Sequence, residues 1–200
     1  MLANFYDNYA KTMYDNFQKV LMQIPCEADS DARYSLARTC ADCDRAYKQW
    51  LCMVAIPRCE DISSDNPFAI IRAANFAFPN GTTLPTDEIQ RLADALGPAV
   101  TMSRNSITDE QVRPGPYKEV LPCEDLCYQL VQSCPSSMQF NCPLRNNPFF
   151  NSSYGVFRGD GVPSCNKPPN FTATSSAETG YIMSSSAAFV AIAALVLPLL

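Results

Sequence analysis

The stretch Cys43-Asp-Arg-Ala-Tyr-Lys-Gln-Trp-Leu-Cys52-Met-Val-Ala-Ile-Pro-Arg-Cys59 decides the fold. Four apolar residues recur in it at helical spacing from Cys43, so one face of a helix carries both apolar side chains and a cysteine directed at the core. Pro57 ends the helix, because proline cannot continue the backbone hydrogen bonds. The four apolar residues are Tyr47, Trp50, Leu51 and Val54.

A second cysteine cluster, Cys123-Glu-Asp-Leu-Cys127-Tyr-Gln-Leu-Val-Gln-Ser-Cys134, has the same pattern. Its three cysteines and Leu130 fall on one helical stripe. Acidic residues follow Cys123 and a proline follows Cys134, which is typical of helix ends. The two clusters together predict a mainly α, disulfide-rich domain with long loops, in which disulfides join two helices.

The cysteine count indicates an oxidising compartment. The 200 residues are 47% hydrophobic, which is enough for the core of one domain, and they include ten cysteines and no histidine. An even number of cysteines favours five disulfides over metal ligands or catalytic thiols. Cys40-Ala-Asp-Cys43 leaves a redox dithiol or half of a zinc site as an alternative, but such a zinc site needs a second ligand pair.

Three sequons favour the same compartment, since N-glycosylation takes place on the secretory route. They predict glycans at Asn80, Asn151 and Asn170.

The net charge of −5 argues against nucleic acid as a partner and leaves a protein or cation partner open.

Without histidine, Ser-His-Asp and Cys-His catalytic sites are excluded. Paired carboxylates could serve a glycosidase, but their positions at helix starts and turns predict capping or solvated roles. No EF-hand loop is present. We therefore expect neither an enzyme nor a cofactor. The pairs are Asp42/Asp44, Glu60/Asp61, Asp87/Glu88 and Glu124/Asp125.

Residues 1–25 have apolar side chains at intervals of three and four and predict an amphipathic helix that packs on the domain. They lack the basic start, the continuous apolar stretch and the cleavage site of a signal peptide. The expectation is that the chain is the C-terminal part of a longer secreted protein, or a truncated gene product. A cytosolic protein that starts at Met1 is the alternative.

The cysteine-free region 60–122 predicts three local features. An apolar stretch runs from Phe68 to Phe78, and Thr86 is expected to cap a short helix that Gly97-Pro98 ends. Residues 101–116 are expected to form a surface loop.

Residues 187–200 are uncharged and apolar, but 14 residues are fewer than the ~20 that span a bilayer as a helix. The polar residues 166–186 precede them, and small residues lie in this spacer. This order matches a signal for a GPI anchor, with Ser175 as the attachment site and Thr174 or Ser176 as alternatives. An uncleaved helix that begins near Tyr181 is the other interpretation.

The spacing Cys43-x8-Cys52-x6-Cys59, followed by Cys123-x3-Cys127-x6-Cys134, resembles the frizzled-type cysteine-rich domain. The stretch Trp50 to Cys59 is particularly similar. The resemblance covers residues 26–165, with 60–122 as an insertion, and implies a frizzled-like disulfide pairing. The implied pairs are Cys26–Cys59, Cys40–Cys52, Cys43–Cys134, Cys123–Cys165 and Cys127–Cys142.

The 63-residue separation of Cys59 from Cys123 departs from frizzled domains. Together with the aromatic N-terminal helix and the apolar tail, it resembles the C-terminal region of the fungal stretch-activated calcium-channel regulatory subunits, the mating-induced-death family. That resemblance implies a non-catalytic secretory glycoprotein on the extracellular face of the plasma membrane. It would dock on a pore-forming four-repeat calcium channel α subunit and promote calcium influx.

A frizzled-like receptor module for lipid or sterol, held by a GPI anchor, is the second hypothesis. It requires an apolar groove formed by residues of the insertion, for which the candidates are Phe68, Ile70, Ile71, Phe76 and Phe78.

Overall fold

The computed structural model describes residues 2–171, except 27, 30–33, 36, 148 and 160. Within this part of the chain the fold is mainly α with one small sheet and several disulfides, which confirms the predicted fold class. The helices are α1 (Leu2–Leu21), α2 (Cys40–Ala55), α3 (Thr86–Leu96), α4 (Glu124–Ser133) and α5 (Phe150–Ser153). The strands are β1 (Arg58–Glu60), β2 (Ala69–Arg72) and β3 (Tyr117–Val120).

Helix α2 is the centre of the helical layer and packs against both α1 and α4. Its start is fixed by a capping box, in which the Asp42 backbone N–H donates to the Thr39 hydroxyl and the Thr39 backbone N–H donates to the Asp42 carboxylate. It ends at Ala55, two residues before Pro57, as the sequence predicts.

The main core lies where α1 and α2 meet. The rings of Phe17 and Tyr47 stack with centroids 3.7 Å apart and an interplanar angle of 5°. This contact buries the apolar face of the amphipathic helix predicted in residues 1–25. The buried residues of this core are Phe17, Leu21, Cys43, Ala46, Tyr47, Leu51, Ala55, Leu130 and Cys134.

The sheet has the antiparallel order β1-β3-β2. Glu119, at the centre of β3, lies opposite Cys59 of β1 on one side and Ile70 of β2 on the other. Because region 60–122 supplies the central strand of the sheet, it is an integral part of the fold and not a separate insertion.

Two expectations for this region were wrong. Residues 101–116 do not form a simple surface loop, because Thr108–Val112 forms a helical turn and both Ser103 and Asp109 are buried. Thr86 is the first residue of α3 and does not cap it, since Pro85 occupies the N-cap position without a side-chain hydrogen bond.

Four disulfides lie in the described part of the chain. Three of them are pairs that the resemblance implies, with Cα–Cα distances of 4.6, 4.9 and 5.8 Å. Cys43–Cys134 joins α2 to α4. The other two are Cys123–Cys165 and Cys127–Cys142.

The implied pairs Cys26–Cys59 and Cys40–Cys52 are not formed. Instead, Cys26 bonds to Cys40, with their Cα atoms 5.7 Å apart, and both Cys52 and Cys59 are free thiols. Cys40 and Cys52 lie on the same continuous helix, 12 residues apart, and are therefore separated by about 18 Å along its axis. A disulfide tolerates a Cα–Cα distance of at most about 7 Å.

Candidate functional site

A buried ionic network joins the sheet to its surroundings. The Glu119 carboxylate of β3 accepts from Arg72 Nε at 2.9 Å and from Arg104 Nε at 2.8 Å. Arg72 also donates to the carbonyl oxygens of Ala99 and Ser152. Arg72 and Glu119 are almost fully buried, so each hydrogen bond offsets part of the cost of removing these charges from water.

Sequence reasoning missed this network, although one signal was present. Arg72 interrupts the apolar stretch that begins at Phe68. A charged residue within an apolar stretch indicates a buried charge with a partner. The partner could not be named, because Glu119 lies 47 residues away and reaches Arg72 only through the pairing of β2 with β3.

A cavity of about 740 Å³ opens beside this network. Its lining comes from α1 and α2, from residues around Arg104, and from the end of α5 with the residue that follows it. The residues from α1 and α2 include Tyr9, Met13, Trp50, Leu51 and Val54, and the others include Met102, Ser103, Arg104, Ser153 and Tyr154.

Trp50 contacts Tyr154, another residue that lines the cavity. Its indole Nε1 donates to the Tyr154 hydroxyl at 2.8 Å. Burial raises the pKa of Tyr154, while the Trp50 hydrogen bond and the positive charge of Arg104 act in the opposite direction. The Tyr154 hydroxyl and the Arg104 side chain both line the cavity.

A smaller cavity of about 480 Å³ lies on the surface of region 60–122. Phe76 and Met102 are exposed at its edge, and Asp109, Glu110 and Arg113 contribute polar groups. Asp109 is already occupied, because its carboxylate accepts from the backbone N–H of Ser103 at 2.8 Å and from its hydroxyl at 2.6 Å.

The five apolar residues expected to form a lipid groove do not converge on one cavity. Of the five, Phe76 lines the smaller cavity. Ile70 and Ile71 are half-buried in β2, and the ring of Phe68 lies 5.0 Å below the Arg158 guanidinium. Phe78 is half-buried beside the turn at Asn80.

The acidic pairs have local partners. Asp42 belongs to the capping box of α2, and Asp44 accepts from the hydroxyl of Tyr14. Glu60 accepts from Ser64 and Asn66, and these hydrogen bonds lower its pKa. Asp61 accepts from Ser63 and Glu88 pairs with Arg91, whereas Glu124 is buried, not solvated as expected, and pairs with Arg145, 21 residues away.

Within the described residues, no three Cys, Asp or Glu side chains come close enough together to hold a metal ion. Cys40 and Cys43, the formal dithiol motif, are both consumed by disulfides, to Cys26 and Cys134 respectively. The two cysteines of this motif therefore form neither a redox dithiol nor half of a zinc site.

The asparagines of the three sequons are exposed. Asn80 lies in a turn where its side-chain oxygen accepts from the Thr82 backbone N–H at 3.0 Å and from the Thr82 hydroxyl at 2.7 Å. Asn151 lies in α5, and Asn170 lies close to the last described residue. The expected anchor site at Thr174, Ser175 or Ser176 and the apolar stretch 187–200 lie outside the described residues.

Among the helices of the described residues, none combines the length and the apolar character needed to cross a bilayer. The 20-residue α1, for example, contains Asp7, Lys11, Asp15 and Lys19.

Comparison with known proteins gives consistent results. A family model described as "Mid1: Stretch-activated Ca2+-permeable channel component" matches residues 1–171. The chain is 38% identical over 168 residues to the stretch-activated cation channel yam8 of Schizosaccharomyces pombe, which covers 84% of this chain and 29% of that protein. It is 35% identical over 169 residues to the stretch-activated cation channel MID1 of Saccharomyces cerevisiae, covering 83% of this chain and 26% of that protein.

The matched part therefore spans less than a third of the length of these relatives. No solved structure is significantly similar to the chain. The family model nevertheless covers most of the sequence, and each of these two relatives matches more than four fifths of it. The chain belongs to the Mid1 family of stretch-activated Ca²⁺-permeable channel components.

Proposed function

We propose that the chain is a non-catalytic accessory component of a plasma-membrane calcium channel and promotes calcium influx by docking on the pore-forming four-repeat subunit. The observation that supports this most strongly is membership of a family described as a stretch-activated channel component. The family is described by its role in a channel and not by an enzymatic activity.

Region 60–122 is the proposed contact surface. It contains nine acidic and five basic residues, so its net charge is −4 out of the −5 of the whole chain. No residue of α3 is buried, although the helix carries apolar residues on one face. An exposed apolar surface within an acidic region fits a partner with a positively charged extracellular segment. The exposed large apolar residues of this region are Phe76, Leu96 and Met102.

We also propose that the protein passes through the secretory pathway to the extracellular face of the plasma membrane. Disulfides form in the oxidising environment of the secretory pathway, and exposed sequons are accessible to glycosylation. We propose glycans at Asn80, Asn151 and Asn170, and membrane attachment through a GPI anchor at Ser175 or through an uncleaved C-terminal helix.

A detergent pull-down of the tagged full-length protein from a membrane fraction tests the docking. Mass spectrometry of the eluate is expected to identify a four-repeat calcium channel. A parallel measurement of calcium uptake should show a decrease when the protein is deleted. An eluate without such a channel, but enriched in sterol or acyl lipid, would contradict the accessory role and favour a lipid-receptor module.

A further inference from the structure

The cavity of about 740 Å³ has a size suited to a small organic ligand, since such sites usually range from about 300 to 1,000 Å³. Its lining combines two kinds of side chain. Met13, Leu51 and Val54 are apolar, whereas Arg104 and Tyr154 carry hydrogen-bond donors. A ligand that fills this space must therefore be amphiphilic.

Arg104 is held by hydrogen bonds from two of its three guanidinium nitrogens. Its Nε and Nη2 atoms bind the Glu119 carboxylate, and Nη2 also donates to the Val54 carbonyl at 3.2 Å. Within the described chain, its Nη1 atom donates to no acceptor. The side chain is 19% exposed and lines the cavity, so this second edge of the guanidinium is available to a ligand.

Tyr154 supplies a second donor. Its hydroxyl oxygen accepts from Trp50, and across the described residues no acceptor lies within reach of its own O–H proton. Arg104 and Tyr154 both line the cavity, so the two available donors face the same space.

The charges beside the cavity favour an anion. Arg72 and Arg104 share the single carboxylate of Glu119. The next carboxylate, that of Asp109, is occupied by Ser103. A carboxylate accepts charge-assisted hydrogen bonds with both of its oxygens, which suits two separate donors, Arg104 Nη1 and the Tyr154 hydroxyl.

We propose that this cavity binds a small amphiphile with a carboxylate head group, such as a long-chain fatty acid. Arg104 Nη1 and the Tyr154 hydroxyl donate to the carboxylate, and the hydrocarbon chain packs along Met13, Leu51 and Val54. This inference does not depend on the proposed contact with a channel, because the ligand contacts are Arg104, Tyr154 and side chains of α1 and α2, none of which lines the smaller cavity.

The single tryptophan of the 200-residue chain makes the test specific, because Trp50 lines the cavity. This chain is placed in lipid nanodiscs, and its fluorescence is measured during titration with dibromostearate, whose bromine atoms quench tryptophan on contact. The methyl ester of the same acid is the control, since it enters the bilayer but has no anionic head. We expect saturable quenching by the acid and at least about tenfold weaker quenching by the ester.

Three variants locate the binding. Met102→Glu adds a negative charge at the cavity edge, where Met102 is 53% exposed, and should weaken binding about tenfold. Leu144→Glu adds the same charge at a residue that is 64% exposed and does not line the cavity, and should leave binding unchanged. Arg104→Gln should weaken binding of the acid without affecting the ester, and circular dichroism verifies its fold.

Equal quenching by acid and ester would overturn the proposal, because it would indicate partition into the bilayer. Quenching that is absent, or that Met102→Glu leaves unchanged, would overturn it as well. Failure of this test would leave co-purification with a channel unaffected, so the two proposals can be distinguished.

Discussion

Glu119 shows how a single residue links distant parts of this chain. Its carboxylate holds Arg72 of β2 and Arg104 of the segment that follows α3. Each arginine also donates to backbone carbonyls, at Ala99 and Ser152 for Arg72 and at Val54 for Arg104. The position of the cavity wall therefore depends on a carboxylate in the central strand.

Replacement of Glu119 by glutamine should lower the free energy of unfolding by about 3–5 kcal/mol, because it leaves two guanidinium groups without a buried counter-charge. Chemical denaturation measures this loss. Asp15→Asn is the matched control, since it breaks the exposed ion pair with Lys11 and should cost less than about 1 kcal/mol. Equal losses for the two variants would contradict the structural role assigned to Glu119.

Cys59 gives a pH-dependent prediction. Burial of its sulfur, with the nearby Glu119 carboxylate as a smaller cause, raises the pKa of the thiol to about 11, although the residue is exposed on the edge strand β1. Because only the thiolate reacts, the rate of alkylation of Cys59 by iodoacetamide should rise about tenfold per pH unit between pH 7 and 10. In the unfolded chain the rate should level off above about pH 8.5.

Mass spectrometry of the Cys59 peptide follows this reaction. The folded pKa lies above the unfolded value, so burial of the thiol stabilises the protein below about pH 8.5, and this contribution is lost as the pH rises towards 11. A folded-state rate that levels off near pH 9 would show that the thiol is not desolvated as described.

At the scale of the elements, the disulfide between Cys43 and Cys134 joins α2 to α4 across 91 positions of sequence. A disulfide that closes so long a loop typically stabilises the folded protein by about 2–4 kcal/mol. Both cysteines are buried against Leu130 and Leu51 in the main core, so the bond also holds the apolar faces of the helices together.

Cys43→Ser or Cys134→Ser should therefore prevent folding in the secretory pathway and abolish delivery to the cell surface, as measured by surface labelling. Cys59→Ser is the control for loss of a cysteine, because Cys59 forms no disulfide, and it should retain surface delivery. Asn80→Gln should have a milder effect. Cell-surface levels of Cys43→Ser and Cys134→Ser similar to those of the wild type would contradict the proposed clamp.

The helices were predictable because their signals are local. The apolar spacing of α1, α2 and α4 and the proline after α2 are visible in short windows of sequence, and the structure has these three helices. The sheet was not predicted, since its strands are three or four residues long and β3 pairs with segments about 50 and 60 positions earlier. Short strands with distant partners leave little pattern in the sequence.

The disulfide pairing was predicted only in part for a related reason. Three of the five implied pairs, including Cys43–Cys134, are formed in the structure. The other two implied pairs are not formed. Cys40 and Cys52 lie too far apart for a disulfide because one uninterrupted helix, α2, contains both, and Cys40 bonds to Cys26 instead. The spacing of cysteines does not show whether the residues between them form one helix.

At the scale of the whole molecule, region 60–122 has two roles. Its β2 and β3 strands and Arg104 complete the fold and one wall of the large cavity, whereas α3 and the Phe76–Met102 surface face outwards. The sequence identified this region as the distinctive one but gave no sign of the cavity. The cavity walls come from α1, α2 and the segment after α5, which only the tertiary fold brings together.

The most direct test of the central claim is quantitative co-purification of the pore-forming subunit with two surface variants. Phe76→Ser/Leu96→Ser removes apolar contact area in the acidic region 60–122 without touching the large cavity, and Leu144→Ser/Phe149→Ser removes at least as much exposed apolar area elsewhere. Both variants should reach the cell surface. The account predicts that the first pair reduces channel recovery at least about tenfold, while the second leaves it at the wild-type level. Equal recovery with both variants would contradict docking through region 60–122.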